Sequence, residues 1–203
     1  MNTIAIMGGS FNPIHNGHVS MAKAAYEQFP IDKVLFMPSF NPSSYKDISE
    51  MVSASDRCRM VELAISDYPY MELSTLEIER GGRTYTADTL AQLDGVYDYI
   101  YFIIGADSLY SLDRWYKPDY VMKHCHFLVA NRDEQPSHKL MAKALYLKEM
   151  YDARIDFIKL ENIPISSSLI RERLACGLSV EGLVPDSVNN YIIKKHLYNK
   201  ESL

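Results

Sequence analysis

The sequence of 203 residues lacks any run approaching the roughly 18 apolar residues that suggest a membrane span. It also lacks a basic excess: 21 Lys and Arg stand against 26 Asp and Glu, for a net charge of −5. A general nucleic-acid coat needs a basic face or stripe, so no nucleic-acid polymer is expected as a partner. A small phosphate ligand stays open, because local groups and not net charge hold it. Cysteine is scarce. Cys58, Cys125 and Cys176 are far apart and odd in number, which leaves no visible disulfide framework or paired zinc motif. A reducing, cytoplasmic setting is expected. The opening residues MNTIAIMGG have no basic leader region, so no signal peptide is expected. No repeat, low-complexity tract or linker interrupts the chain, and a single domain over 1–203 is expected. Two phosphate-binding signatures are absent as well. There is no G-x-G-x-x-G and no Walker Gly-Lys-Ser/Thr.

What is present is an alternation. Strand-like apolar runs at 3–7, 33–37, 71–78, 99–104, 126–130 and 154–160 are separated by helix-like segments near 17–29, 54–67, 86–94 and 137–151. Two more helices, near 167–175 and 185–197, finish the chain. Strand and helix in turn predict an α/β fold with a mainly parallel sheet, helices on both faces and a small C-terminal helical part. YIYFII (99–104) is continuously apolar, as buried parallel strands are. In such folds ligands bind beyond the carboxyl ends of the strands. The residues just after each strand are therefore where chemistry is expected. Loop 39–55 is long for a compact domain, and loops of that length are often functional.

MGGSFNPIHNGH, residues 7–18, falls directly after the first strand. Gly8 and Gly9 let the backbone approach a ligand and accept positive φ. Asn12-Pro13 is a turn signal. Asn16 is the expected N-cap of a helix. A helix N-terminus presents unpaired N–H groups and positive potential, which suits phosphate. His15 and His18, three apart, can share one side of that terminus. They also read as two zinc ligands, but no third ligand stands at suitable spacing. No protein-held metal site is expected. His124, Cys125 and His126 supply only three candidates at a strand start and are read as structural.

GGSFNPIHNGH resembles the H-x-G-H signature of the nucleotidylyltransferase superfamily. ISSSLIR, residues 165–171, resembles its second motif, a hydroxyl-rich helix start followed by arginine. The two lie in the expected order and span nearly the whole chain. Within the superfamily the sequence is most similar to the bacterial nicotinate-nucleotide adenylyltransferases, through GG before the Phe turn, YTADTL (85–90) and GADSLYSLDRW (105–115). The resemblance implies a Rossmann-like nucleotidylyltransferase fold. It implies transfer of the adenylyl group of ATP to nicotinate mononucleotide, with pyrophosphate released, a step of NAD biosynthesis. Mg²⁺ would accompany ATP. A homo-oligomer is a family-level expectation.

The resemblance also implies roles. His15, His18 and Arg171 would act on the triphosphate. Gly8, Gly9, Ser10, Phe11, Gly105, Asp107, Ile165, Ser166, Ser167 and Ser168 would complete the ATP site. Lys46, Tyr85, Thr86, Trp115, Tyr116 and Arg132 would hold the mononucleotide. Trp115, the only tryptophan, would stack on the pyridine ring. Backbone N–H groups near Thr86 and Tyr116 would bind the nicotinate carboxylate, favouring the acid over the amide. Asp88 and Asp107 are expected as helix caps. Three departures stand out. Ser168 replaces the usual Thr, Asn12 the usual Asp, and Ser-Ser-Tyr stands before Lys46 where Pro-His is common. The attacking phosphate is already anionic, so no general base is needed, in keeping with the lack of a Ser-His-Asp or Cys-His arrangement. Alternatives are the same chemistry on nicotinamide mononucleotide or another phosphate acceptor, and a catalytically silent nucleotide sensor. A class I aminoacyl-tRNA synthetase fragment fits less well, since a lysine-rich second motif is missing.

Overall fold

The computed structural model describes residues 2–42, 51–131, 136–160 and 164–199. In chain order the elements are β1 Thr3–Gly9, α1 Asn16–Gln28, β2 Lys33–Pro38, β3 Asn41–Pro42, α2 Ala54–Ile65, β4 Met71–Leu73, α3 Leu76–Arg80, β5 Arg83–Thr84 and α4 Thr86–Leu93. Then follow β6 Tyr99–Gly105, α5 Ala106–Leu109, a 3-10 turn at Leu112–Arg114, α6 Pro118–His124, β7 His126–Asn131, α7 His138–Tyr151, β8 Arg154–Lys159, α8 Ser167–Ala175 and α9 Asp186–Lys195.

Among the described residues six strands form a sheet in the order β4-β2-β1-β6-β7-β8, and all its neighbours pair parallel. A short parallel pair, β3 with β5, lies apart. Strand side chains alternate between faces, and that alternation divides the core. Ala5 and Met7 join one cluster with Ala22, Ala25, Val61 and Ile170. Ile4 and Ile6 join the other with Leu90, Leu112, Val121 and Leu147. So α1, α2, α8 and α9 cover one face of the sheet and α4, α6 and α7 the other. The C-terminal helices are tied to the first face by Tyr191, whose O–H donates to Asp56 Oδ1 at 2.8 Å. Asn16 adds a second tie, through a backbone N–H to the Leu183 carbonyl at 3.0 Å.

The strand expected over 71–78 is shorter than expected. It ends at Leu73, and Leu76–Arg80 turns as α3. Glu77 and Glu79 in its first turn and Arg80 in its last suit the helix dipole, and Gly81 ends it at φ 65. A five-residue helix carries too few apolar positions to show a period. The same holds for α6, which the sequence pattern did not reveal; Pro118 occupies its first turn. Gly8 and Gly9 lie within β1 and take no positive φ; Phe11 does, at 46. The N-cap of α1 is His15 rather than Asn16. Tyr85 and Gly105 cap α4 and α5, so Asp88 and Asp107 sit inside the first turns. The sequence placed these caps on the residues with the best capping side chains. The backbone instead turns where the preceding strand or pair ends.

Candidate active site

The chain runs from β1 outward to β2 and β4, then returns to place β6 on the other side of β1. The switch in direction falls between β1 and β6. Helices leaving two neighbouring strands toward opposite faces open a crevice there. The structure has a cavity of about 850 Å³ at this point. Gly8, Gly9, Ser10 and His18 line it beside Ile104 and Gly105; Thr84, Tyr85, Thr86, Trp115 and Tyr116 line it elsewhere. Gly8 sits against the Phe102 ring, which a Cβ there would meet at 3.2 Å and push back.

The histidine turn explains its own composition. The His15 and His18 rings stack at 3.7 Å and 24°. His15 is 6% exposed and lies behind His18, which lines the cavity. A Cβ on Gly17 would meet His15 Nδ1 at 3.0 Å, so glycine between the histidines makes room for the stack. The His15 backbone N–H donates to His18 Nδ1 at 3.3 Å. That nitrogen is therefore unprotonated and the ring proton sits on Nε2. Burial, and next His15, hold the His18 pKa well below the usual histidine value. His18 is thus a neutral N–H donor at the cavity wall.

The second motif is brought to the first. Ser166 caps α8 by accepting the Leu169 N–H at 3.2 Å. Ser167 Oγ donates to the Pro13 carbonyl at 2.8 Å. Arg171 donates to the Asn12 carbonyl at 2.9 Å and to Ser168 Oγ at 3.3 Å. Ile165 and Phe11 are buried in the core, and Asp107 is exposed. None of these residues is on the cavity wall. Lys46 and Arg132 lie outside the described residues.

Trp115 is held on edge. Its indole meets Phe102 at 78° and Phe127 at 81°, with centroids 6.3 and 6.4 Å away. Tyr85 and Tyr116 meet at 4.6 Å, joining the turn before α4 to the turn before α6. Thr86 opens α4, so its end carries backbone N–H groups without helical partners.

Three residues have roles at the site that the sequence pattern did not show. Arg57, on α2, is 2% exposed and donates to the carbonyls of Ser10 and Ser39 at 2.7 and 2.8 Å. Those residues directly follow β1 and β2. Asn12 is wholly buried, and its Oδ1 accepts the Tyr198 O–H at 2.9 Å and the Val52 N–H at 3.3 Å. Its side chain is a structural acceptor turned toward the C-terminal segment. Glu77 lines the cavity although it is 6% exposed. No local signal marks these partners, which lie 18 to 186 residues apart in the chain. Replacing Tyr198 by Phe removes one donor from Asn12 and lowers stability by about 1 kcal/mol, measured by urea unfolding. An unchanged midpoint would show that the contact contributes nothing.

His124 bonds the Tyr120 carbonyl, Cys125 the Val121 carbonyl, and His126 contacts Tyr99 and Asp156. Each has a protein partner, and among the described residues no group of three or more His, Cys, Asp or Glu could hold a metal ion. None of the helices described is long and apolar enough to cross a membrane.

A parallel doubly wound sheet with a glycine-lined switch point, stacked histidines and a hydroxyl-capped helix defines a nucleotidylyltransferase. The cytidylyltransferase-like family model matches residues 6–173. A probable nicotinate-nucleotide adenylyltransferase of Lachnoclostridium phytofermentans is 42% identical over 200 residues, 98% of this chain and all of that one. A protein of the same description from Dehalococcoides mccartyi is 40% identical over 196 residues, 95% of each chain. The chain belongs to the cytidylyltransferase-like family and, within it, to the nicotinate-nucleotide adenylyltransferases. The fold also matches the Plasmodium falciparum nicotinic acid mononucleotide adenylyltransferase complexed with NaAD. There the TM-score is 0.76, at 21% identity over 98% of both chains.

Proposed function

We propose that this chain, acting as one unit over 1–203, joins ATP and nicotinate mononucleotide to give nicotinate adenine dinucleotide and pyrophosphate. One observation carries the reading. A single cavity has the Gly8-Gly9-Ser10 strand end and His18 on its wall together with Thr86, Trp115 and Tyr116. One nucleotide can thus lie against the other with their phosphates at His18. A phosphate oxygen of the mononucleotide attacks the α-phosphorus of ATP. The new O–P bond forms as the bond to the β-phosphate oxygen breaks, and the electron pair leaves with pyrophosphate. No proton needs to be removed from the nucleophile. Catalysis is then positioning and charge stabilisation.

His18 Nε2–H donates to the triphosphate. His15 holds the His18 ring, and Arg171 with the N-terminus of α8 adds positive potential. Gly105 allows close approach of the adenosine, and Trp115 stacks on the pyridine. Mg²⁺ enters with ATP; Asn12 Oδ1 is already occupied by protein donors, which suits an ion held by phosphate and water. It supplies charge neutralisation. A cytoplasmic setting fits the soluble substrates.

The test is pyrophosphate release with ATP and Mg²⁺, comparing nicotinate with nicotinamide mononucleotide. Fast release with the acid and little with the amide supports reaction and pocket together. Equal rates remove the carboxylate argument at Thr86 and Tyr116. No release from folded protein that still binds ATP overturns the reading in favour of a sensor or another acceptor.

A further inference from the structure

Glu77 is a carboxyl group in the cavity wall that the reaction above does not use. Its position is built rather than incidental. It lies on α3 and is 6% exposed. Thr89 Oγ1 donates to Glu77 Oε1 at 2.6 Å and also approaches the Tyr85 carbonyl at 3.3 Å. Arg80, its charged neighbour on the same helix, is 4.0 Å away. Arg80 itself donates to Thr89 Oγ1 at 3.1 Å and to Gln92 Oε1 at 2.7 Å. The carboxyl is therefore tethered through Thr89 to the first turn of α4, the turn that begins at Thr86. His18 from α1 and Arg114 from the 3-10 turn line the same cavity. This arrangement places an ionisable acid beside the helix end read above as the nicotinate carboxylate site.

Two carboxylates sharing one partly buried site cannot both ionise cheaply. We propose that Glu77 is a specificity-determining residue for the pyridine acceptor, binding a proton when the acid substrate enters and leaving a neutral amide substrate without that coupling. This rests on the reading of the site given above. Burial already pushes the Glu77 carboxyl up to about 7, against the pull of the Thr89 hydrogen bond and Arg80. The proton is thus available from solvent in the neutral range. Glu77 neutral, the Thr86 N–H groups face the incoming anion alone. Glu77 ionised, it competes with that anion for the same positive helix end.

The sign follows from linkage. The form that binds the acid is the protonated one, so affinity is full on the acidic side and falls as pH rises. For nicotinate mononucleotide, KM rises about tenfold between pH 6 and pH 8 while kcat changes less. The amide shows the pH profile of its own phosphate only, and it serves as the internal control. Calorimetric binding titrations in two buffers of different ionisation enthalpy read the proton directly. At pH 7 the acid takes up about half a proton more than the amide. Glu77→Gln keeps an acceptor for Thr89 but cannot ionise. It flattens KM for the acid at its low-pH value and abolishes the extra proton. Thr89→Val is a second variant that leaves Glu77 in place. It removes a hydrogen bond that favours the ionised form, so the pH midpoint moves upward. If wild type turns over the acid with a KM that changes less than twofold from pH 6 to 8, Glu77 has no such role. The same holds if Glu77→Gln, folded by circular dichroism, keeps the wild-type profile. Failure to release pyrophosphate with either acceptor would instead overturn the reaction, and this assignment with it.

Discussion

His18→Ala lowers turnover by about 10²-fold or more, the scale of losing one preorganised donor, with the fold intact. The argument runs from the backbone outward. The His15 N–H occupies Nδ1 of His18, which leaves Nε2–H for the cavity. The stack with His15 at 3.7 Å fixes the ring, so little orientation is lost when a phosphate binds. Burial and His15 keep the ring neutral. The variant therefore loses a hydrogen bond and not a charge. Raising ionic strength should leave the ratio of wild-type to variant turnover unchanged, since screening acts on charges. Steady-state pyrophosphate release at saturating substrates measures the first effect, and the same assay across salt measures the second. A fall of less than threefold in a folded variant would remove His18 from the reaction.

Arg57→Met lowers stability by about 3 kcal/mol, read as a fall in Tm of about 6–12 °C for a chain of this size. The guanidinium is buried between two carbonyls, those of Ser10 and Ser39. Methionine has comparable reach but no donor. It would leave both carbonyls facing an apolar side chain, and a buried acceptor without its partner carries the full desolvation cost. The loss is also local to the site. Ser39 binds the Gly9 carbonyl through its backbone N–H at 2.9 Å and through its hydroxyl at 3.2 Å. Arg57 thus fastens the ends of β1 and β2 against each other at the cavity rim. Turnover should fall at temperatures well below the new Tm. A change under 1 kcal/mol by thermal unfolding would mean that water replaces the guanidinium.

The parallel sheet was legible because buried strands and amphipathic helices write their periods into consecutive residues. YIYFII became β6 and TIAIM became most of β1. MELSTLEI misled because Met71 and Leu73, and again Leu76 and Ile78, alternate with polar residues; the phase slips by one at Ser74-Thr75, and there the strand ends, with the Ser74 N–H still bonded to the Phe36 carbonyl at 2.8 Å. The histidine turn and the ISSS helix start were legible for the same local reason, since capping and turn chemistry act over three or four residues.

The sequence by itself determined the alternation of strand and helix, the two phosphate-suited motifs, and the absence of a basic excess. Those depend on neighbours in the chain. Tertiary structure decided which imidazole meets the cavity, that Asn12 serves the Tyr198 hydroxyl, that Arg57 bridges two strand ends, and that Glu77 reaches the cavity wall. Each of these depends on two segments meeting in space. The direction of a side chain across such a contact is set by packing and by the need to satisfy buried polar groups, and neither leaves a mark on adjacent residues.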